Sequence, residues 1–117
     1  TQLTATTELP MLFTRTQTIT PQDAADRLSA GTLVLVDVRE PAEVREARIP
    51  GAVAIPLGQL PARLGELDAA TPVAFVCRSG ARSARATKAA AKAGLDAANV
   101  SGGIMAWARA GLRVVGG

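Results

Sequence analysis

The sequence predicts an α/β protein: a three-layer α/β/α sandwich with a central, mostly parallel, five-stranded sheet. Two observations lead to this class. Short apolar segments alternate along the chain with segments of helical spacing, and the apolar segments are continuous instead of alternating with polar residues. Continuous apolar strands are covered on both faces, which is typical of parallel sheets, and right-handed crossovers place helices on both sides of such a sheet. The 117 residues suit one domain of this kind.

The predicted domain begins with a strand, a helix and a second strand. A short strand over Gln17–Ile19 precedes a helix that Thr20 caps, Pro21 opens and Gly31 ends. A hydroxyl cap, an early proline and a terminal glycine are common boundaries of helices. Leu33–Val36 follows as an uninterrupted apolar strand.

The middle of the chain repeats the pattern. Two more apolar strands are predicted over Ala52–Ile55 and Val73–Val76. Helices over Ala42–Arg48 and Leu57–Leu64 lie between the strands. They supply the crossover connections that parallel strands require.

The last elements include the longest predicted helix. It spans Arg82–Ala93 and is stopped by Gly94. A short strand over Ala98–Val100 and a helix over Ile104–Ala110 complete the sheet and its cover. The packing face of the long helix is predicted to consist of alanines: Ala86, Ala89, Ala90 and Ala93.

Residues 1–16 differ from the rest of the chain. They are rich in threonine and show no periodicity, so we expect a partly disordered N-terminal extension followed by a domain over residues 17–117. They lack the basic start and long apolar stretch of a signal peptide. No stretch of the chain approaches the roughly 18 apolar residues of a membrane span, so no membrane partner is expected.

The residue types that are missing exclude many functions. With no histidine, every mechanism that depends on an imidazole base is excluded. One cysteine without histidine makes a zinc or iron-sulfur site improbable, so we expect no metal and no cofactor. The single cysteine cannot form an internal disulfide, which is compatible with a reducing compartment, and we expect a cytoplasmic protein.

Charge is divided unevenly along the chain. Residues 1–68 contain 6 Lys/Arg and 9 Asp/Glu, whereas residues 69–117 contain 7 Lys/Arg and 1 Asp/Glu. The positive field around and after the cysteine favours a small anionic ligand. Nucleic acid is not expected as a partner, because the basic run has no interleaved aromatic residues and no recognised binding motif. The basic residues concerned are Arg78, Arg82, Arg85, Lys88 and Lys92.

Cys77 is the candidate catalytic residue. It follows directly after the Val73–Val76 strand, at the edge of a parallel sheet where ligands bind, and a tight turn and a helix come after it. Backbone N–H groups at such a helix start point at an anion. The residues expected to bind substrate are those of the loop: Arg78, Ser79, Gly80, Ala81, Arg82 and Ser83.

Two interpretations of Cys77 compete. A lone cysteine after an apolar strand is usually a buried structural thiol. However, such a thiol has no need of two arginines and two serines directly after it, whereas a reactive cysteine occupies an electropositive loop. We therefore predict a nucleophile whose pKa lies below that of a free thiol, with the guanidinium groups of Arg78 and Arg82 contributing.

Several segments resemble the rhodanese family. Val36–Glu43 looks like its D-V-R-x-x-x-E signature, and Ile49–Pro56 looks like its I-P-G-A-x-x-I-P turn and strand. Cys77–Ser83 is similar to its active-site loop, and Gly102–Trp107 with Ala110–Leu112 resembles its closing G-G-x-x-x-W and A-G-L. The match covers most of the chain. Two positions depart from the pattern: Ala47-Arg48 replaces a frequent Gly-His, and Leu112-Arg113 a frequent Leu-Pro.

The resemblance implies a rhodanese-like fold and a thiosulfate sulfurtransferase. Cys77 would take a sulfane sulfur from an anionic donor such as thiosulfate, hold it as a persulfide and pass it to cyanide or a thiol. The loop amides would stabilise the persulfide, and Arg78 and Arg82 would hold the sulfonate end of the donor. Asp37 and Arg39 would support the loop, although a purely structural role is equally compatible with their position. The paired glycines and Trp107 are interpreted as turn and packing residues.

Two alternative functions remain open. The first is a persulfide carrier or regulatory module that receives sulfur from a protein of a sulfur relay and turns over small molecules slowly. The second is a phosphatase or arsenate reductase, which uses a similar cysteine loop. A phosphatase loop has the spacing Cys-x5-Arg, whereas Cys77 and Arg82 give the shorter Cys-x4-Arg. The shorter loop favours binding of a single extra sulfur atom.

Overall fold

The structure is a computed structural model that describes residues 18–116. Its centre is a five-stranded sheet with the strand order β1-β6-β5-β2-β4, in which every pair is parallel. A separate antiparallel pair joins β3 to β7. The strands are β1 (Thr18–Ile19), β2 (Val34–Asp37), β3 (Ala47–Arg48), β4 (Val53–Ala54), β5 (Val73–Val76), β6 (Ala97–Val100) and β7 (Val115–Gly116).

Helices cover both faces of the sheet, which confirms the predicted three-layer α/β/α architecture. They are α1 (Pro21–Ala30), α2 (Pro41–Glu46), α3 (Leu60–Arg63), α4 (Ala81–Lys92) and α5 (Gly103–Arg109). On one face, a buried cluster joins the sheet to Ala24 of α1 and Trp107 of α5. On the other face, a second cluster joins the sheet to Leu60 of α3 and Ala86 of α4. Within residues 18–116 no helix is long and apolar enough to cross a membrane.

The ends of α1 agree with the sequence prediction. The Thr20 side chain accepts a hydrogen bond from the Asp23 amide at 3.1 Å, and Pro21 occupies the first turn. At the other end Gly31 adopts φ 76°, a left-handed conformation that favours glycine. The extension predicted over residues 1–16, together with Gln17, lies outside the described residues.

Two predicted helices have different bounds in the structure. The helix predicted over Ala42–Arg48 ends at Glu46, because the next two residues form β3 and pair with β7. The segment predicted over Leu57–Leu64 contains only the short helix α3, flanked by single 3-10 turns at 57–59 and 64–66. Gly58 and Gly65 lie in these turns, and glycine disfavours a continuous helix.

The packing face of α4 was predicted correctly at Ala86 and Ala90 and wrongly at Ala89 and Ala93. Ala93 is exposed and follows the last helical residue, and Ala89 is only half-buried. Two polar residues, Ser83 and Thr87, also belong to the buried face. Thr87 is accommodated in the core because its hydroxyl donates to the Ser83 carbonyl at 2.8 Å. The buried residues of the helix are Ser83, Ala86, Thr87 and Ala90.

The sheet order brings three strand ends together. β5 lies between β6 and β2, and all three run in the same direction. Their carboxyl ends therefore meet at one edge of the sheet, which is where open α/β sheets bind ligands. Cys77 follows β5 at this edge, Asp37 ends β2, and Asn99 lies one residue before the end of β6.

Candidate active site

The Cys77 sulfur lies inside a ring of hydrogen-bond donors. Its Sγ atom is 3.2 Å from the Gly80 amide nitrogen, 3.4 Å from the Ser83 amide nitrogen and 3.2 Å from the Ser83 hydroxyl. The chain closes this ring because Gly80 adopts φ 120° immediately before α4 begins at Ala81. The Ser83 amide in the first turn of the helix then points back toward the sulfur.

These donors lower the pKa of Cys77 below the ordinary value of a thiol. Burial of the sulfur acts in the opposite direction and raises the pKa. The hydrogen bonds outweigh it: the Ser83 hydroxyl contributes most, followed by the amides of Ser83, Gly80 and Ser79. The direction agrees with the sequence prediction: the loop donors lower the pKa, and of the two guanidinium groups that of Arg82 interacts electrostatically with the sulfur.

The exposure of Cys77 bears on the alternative of a structural thiol. The residue is only 1% exposed and packs in the same cluster as Val36 and Phe75. A structural thiol in an apolar core has a raised pKa and few polar neighbours. Cys77 has three polar donors within 3.4 Å and a lowered pKa, so its surroundings are those of a thiolate.

The two loop arginines have different environments. Arg82 forms a bidentate ion pair with Glu43 of α2, with nitrogen–oxygen distances of 2.7 and 2.9 Å. This hydrogen-bonded pair lowers the pKa of Glu43 to about 2 and raises the pKa of Arg82. Arg78 is exposed and forms no ion pair within residues 18–116. Arg78 is therefore the guanidinium of the loop that is available to an incoming anion.

Asp37 and Arg39 form a buried pair at the end of β2. The Arg39 guanidinium donates to both carboxylate oxygens of Asp37 at 2.8 to 3.1 Å, and the Arg39 amide donates to the same carboxylate at 3.0 Å. The guanidinium also donates to the carbonyls of Ala47 at 2.6 Å and of Glu43 at 3.3 Å. This pair thus fixes the end of α2, whose Glu43 side chain in turn binds Arg82 of the loop.

Two backbone hydrogen bonds join helix α5 to the Cys77 loop. The Ile104 amide donates to the Cys77 carbonyl at 2.8 Å, and the Met105 amide donates to the Arg78 carbonyl at 3.2 Å. Gly103 permits this approach: a Cβ atom there would lie 2.3 Å from the Arg78 carbonyl oxygen. Gly103 also adopts φ 63°. Gly103 is therefore more than the turn residue predicted from the sequence, because it also contacts the loop directly.

The remaining predicted residues differ in exposure. Ser79 and Ala81 are exposed, Gly80 is half-buried and Ser83 is fully buried. Arg48, where the family often has histidine, is exposed in β3.

Two residues at the site were not predicted. Glu43 ends the D-V-R-x-x-x-E segment, so its place in the motif is the signal that could have indicated it. Asn99 is bonded to Gly80 and Ser83, and its only signal was a polar residue in an apolar strand.

Two surface depressions have different relations to the loop. A cleft of about 250 Å³ adjoins it and is lined by Arg78, Glu43, Met105 and Val114 among others. A groove of about 290 Å³ lies elsewhere, between α1 and α5, and contains no loop residue. No cluster of three or more His, Cys, Asp or Glu side chains in the described part of the chain could hold a metal ion.

Comparison with known proteins identifies the family. The model of the rhodanese-like domain matches residues 20–110, which include every element from α1 to α5. The chain belongs to the rhodanese-like family. The match confirms the resemblance stated from the sequence, and the loop described above corresponds to the segment that carried it.

Relatives of this rhodanese-like domain are named as sulfurtransferases. It is 45% identical over 75 residues to the putative sulfurtransferase YtwF of Bacillus subtilis, covering 64% of this chain and 73% of the relative. It is 42% identical over 84 residues to a sulfurtransferase of Allochromatium vinosum, covering 71% and 78%. A rhodanese-related protein of Thermoplasma volcanium has the same fold, with a TM-score of 0.79 and 30% identity over 86% of this chain and 98% of that structure.

Proposed function

We propose that this rhodanese-like domain is a sulfurtransferase that moves a sulfane sulfur from thiosulfate, or a similar small anion, to cyanide or a thiol. The carrier of the sulfur is a persulfide on Cys77. The observation that supports this function is the position of Sγ within 3.4 Å of three hydrogen-bond donors. Such donors stabilise an anionic sulfur, which is both the attacking form and the form that the persulfide takes.

The reaction proceeds in two displacements on sulfur. The Cys77 thiolate attacks the outer sulfur of thiosulfate, a new S–S bond forms, and the old S–S bond breaks so that sulfite leaves with its electron pair. Cyanide or a thiolate then attacks the terminal sulfur of the persulfide. The products are thiocyanate or a new persulfide, together with the regenerated Cys77 thiolate. Electrons balance without a cofactor.

Arg78 is the residue that we assign to the donor's sulfonate group. Its guanidinium is exposed and follows directly after the nucleophile, whereas that of Arg82 is already bound to Glu43. A charge-assisted hydrogen bond from Arg78 would orient the outer sulfur toward Sγ. Arg82 then acts by fixing the start of α4, and Asp37 and Arg39 act by fixing the end of α2.

A persulfide carrier is the second candidate, and one observation favours it. The helix that starts at the loop, α4, has an exposed basic face formed by Arg85, Lys88 and Lys92. Cys77 itself is only 1% exposed. A basic face suits an acidic protein partner that delivers or receives sulfur.

A phosphatase is disfavoured, because the Cys-x4-Arg loop closes on one sulfur atom and its arginine is already paired. We place the protein in the cytoplasm, where a reactive thiol stays reduced.

A thiosulfate–cyanide assay of the native protein and of Cys77→Ser tests the proposal. We expect thiocyanate formation by the native protein and none by the variant. Labelling of a persulfide on the native protein without turnover would instead support the carrier. Hydrolysis of p-nitrophenyl phosphate that depends on Cys77 would contradict both functions.

A further inference from the structure

Asn99 connects two points of the Cys77 loop from outside it. It lies in β6, the neighbour of β5, and is paired in register with Phe75. Its Nδ2 atom donates to the Gly80 carbonyl at 3.1 Å, and its Oδ1 atom lies 2.6 Å from the Ser83 hydroxyl oxygen. The other residues of β6 are alanine or valine and are buried, so this amide is an isolated polar group on that strand.

The orientation of the Asn99 amide follows from these contacts. The Gly80 carbonyl can only accept a hydrogen bond, so the amide nitrogen must face it. The amide oxygen therefore faces Ser83 and accepts the proton of its hydroxyl. Gly80 leaves room for the contact, since even a Cβ atom there would lie 3.9 Å from Nδ2.

The Ser83 hydroxyl has one proton and three acceptors within reach. The acceptors are Asn99 Oδ1 at 2.6 Å, the Cys77 sulfur at 3.2 Å and the Gly80 carbonyl at 3.3 Å. When the thiol is neutral, its S–H can donate to Ser83 while Ser83 donates to Asn99. When the sulfur is ionised, the same proton can serve only one of them. Asn99 thus competes with the sulfur for the strongest donor of the site.

We propose that Asn99 is a positioning residue of the persulfide site, which holds the loop closed through Gly80 and directs the hydroxyl proton of Ser83 between itself and Sγ. The inference rests on the proposed function, because it assigns this control to the sulfur that would carry the persulfide. While the thiol is neutral, the hydroxyl proton lies toward the Asn99 amide oxygen, which is 2.6 Å from the hydroxyl oxygen and is a stronger acceptor than a thiol sulfur. As negative charge settles on sulfur, the proton turns toward it.

The charged groups around the thiol are left unchanged by the substitutions that test this proposal. They are Arg78 on the loop, Arg82 on α4, Glu43 on α2, which is bound to Arg82, and the Asp37–Arg39 pair at the end of β2. The substitutions below change none of these residues, so a shift in thiol titration reports on the amide and the hydroxyl.

The experiment is a double-mutant cycle between Asn99→Leu and Ser83→Ala. The rate of alkylation of Cys77 by iodoacetamide is measured against pH, and its midpoint gives the ionisation of the thiol. Leucine resembles asparagine in size but has no polar atom, so Ser83 can give its proton to sulfur without competition. We expect Asn99→Leu to shift the midpoint about half a pH unit further down when Ser83 is present than in the Ser83→Ala background. An equal or smaller shift would overturn the proton-directing role.

Hydrogen exchange of the peptide over residues 77–84 tests loop closure. Asn99→Leu removes the bond to Gly80, so we expect several-fold faster exchange in this peptide. Thr87→Val is the matched control, because it removes another buried hydrogen bond to Ser83 that does not involve the sulfur or Asn99. Unchanged exchange in Asn99→Leu, or equal acceleration in both variants, would overturn the loop-closing role. Neither readout requires turnover, so the inference and the sulfurtransferase activity can fail separately.

Discussion

The two sides of the Cys77 loop are held by different kinds of contact. On the α5 side, backbone amides donate to the carbonyls of Cys77 and Arg78, and the loop backbone leaves no space for a side chain at Gly103. On the α2 side, the Glu43–Arg82 ion pair joins two side chains that are each about one-third exposed. The first contact depends on backbone positions alone, whereas the second depends on two flexible and partly hydrated groups.

This difference indicates which features of the site tolerate change. A backbone contact cannot adjust to an added atom. On the α5 side, any added atom would therefore displace the loop backbone and with it the Cys77 sulfur. A partly exposed ion pair contributes little stability and can be replaced by water. We expect substitutions on the α5 side to abolish the site and substitutions on the α2 side to weaken it.

Gly103→Ala is expected to have the largest effect. Its Cβ atom would lie 2.3 Å from the Arg78 carbonyl oxygen in a backbone conformation, φ 63°, that alanine disfavours. The free energy of unfolding should fall by about 3 kcal/mol or more, and sulfur transfer should be lost. Urea denaturation measures the first quantity, and thiocyanate formation measures the second.

Gly111→Ala is the matched control for Gly103→Ala. Gly111 follows the other end of α5 and also has a left-handed backbone, with φ 80°, but nothing lies within 4 Å of its Cβ position. The Gly111→Ala variant should lower the free energy of unfolding by about 1 kcal/mol, which is the strain of the backbone alone, and leave sulfur transfer unchanged. Equal losses in the two variants would show that the contact with Arg78 is unimportant.

Arg78→Gln separates the two roles of one residue. The Arg78 carbonyl belongs to the α5 side, whereas its guanidinium is exposed and forms no ion pair within residues 18–116. We expect stability to be unchanged and the KM for thiosulfate to rise about 10-fold, the loss of one partly exposed charge-assisted hydrogen bond. Steady-state kinetics measures the change, with Arg85→Gln on the exposed face of α4 as control. A normal KM would remove Arg78 from donor binding.

Glu43→Gln is expected to have the smallest effect. The folded pKa of Glu43 is about 2, below the ordinary 4.5, so its stabilising contribution is fully present above pH 4.5 and is lost as the pH falls to about 2. Because the pair is partly exposed, we expect a loss of about 1 kcal/mol at pH 7. The difference between native protein and variant should vanish near pH 2 in denaturation experiments. A constant difference across this range would exclude the ion pair as its cause.

The sequence predicted the features that depend on neighbouring residues. The Thr20 cap, the Gly31 end of α1, the Val73–Val76 strand and the cysteine loop all follow from local patterns, and all are found. The fold class followed from the order of such elements. The alanine face of α4 was wrong in part, because an alanine-rich helix gives almost no contrast between its faces.

The features that escaped prediction depend on residues far apart in the chain. Glu43 and Arg82 are 39 positions apart, and only the strand order β5-β2 brings them together. Asn99 contacts Ser83 because β6 lies beside β5, an order that the sequence does not specify. The β3–β7 pair consists of two residues on each strand, which is too short to leave a pattern.

The mass of the protein after incubation with thiosulfate shows most directly whether Cys77 carries a persulfide. In the proposed function, the donor ring around Sγ stabilises one added sulfur atom. We expect a gain of about 32 Da, located on the peptide that contains Cys77, reversed by cyanide and absent in Cys77→Ser. An unmodified Cys77 peptide after treatment with thiosulfate, other sulfane donors and a persulfide-bearing protein would contradict the proposed function.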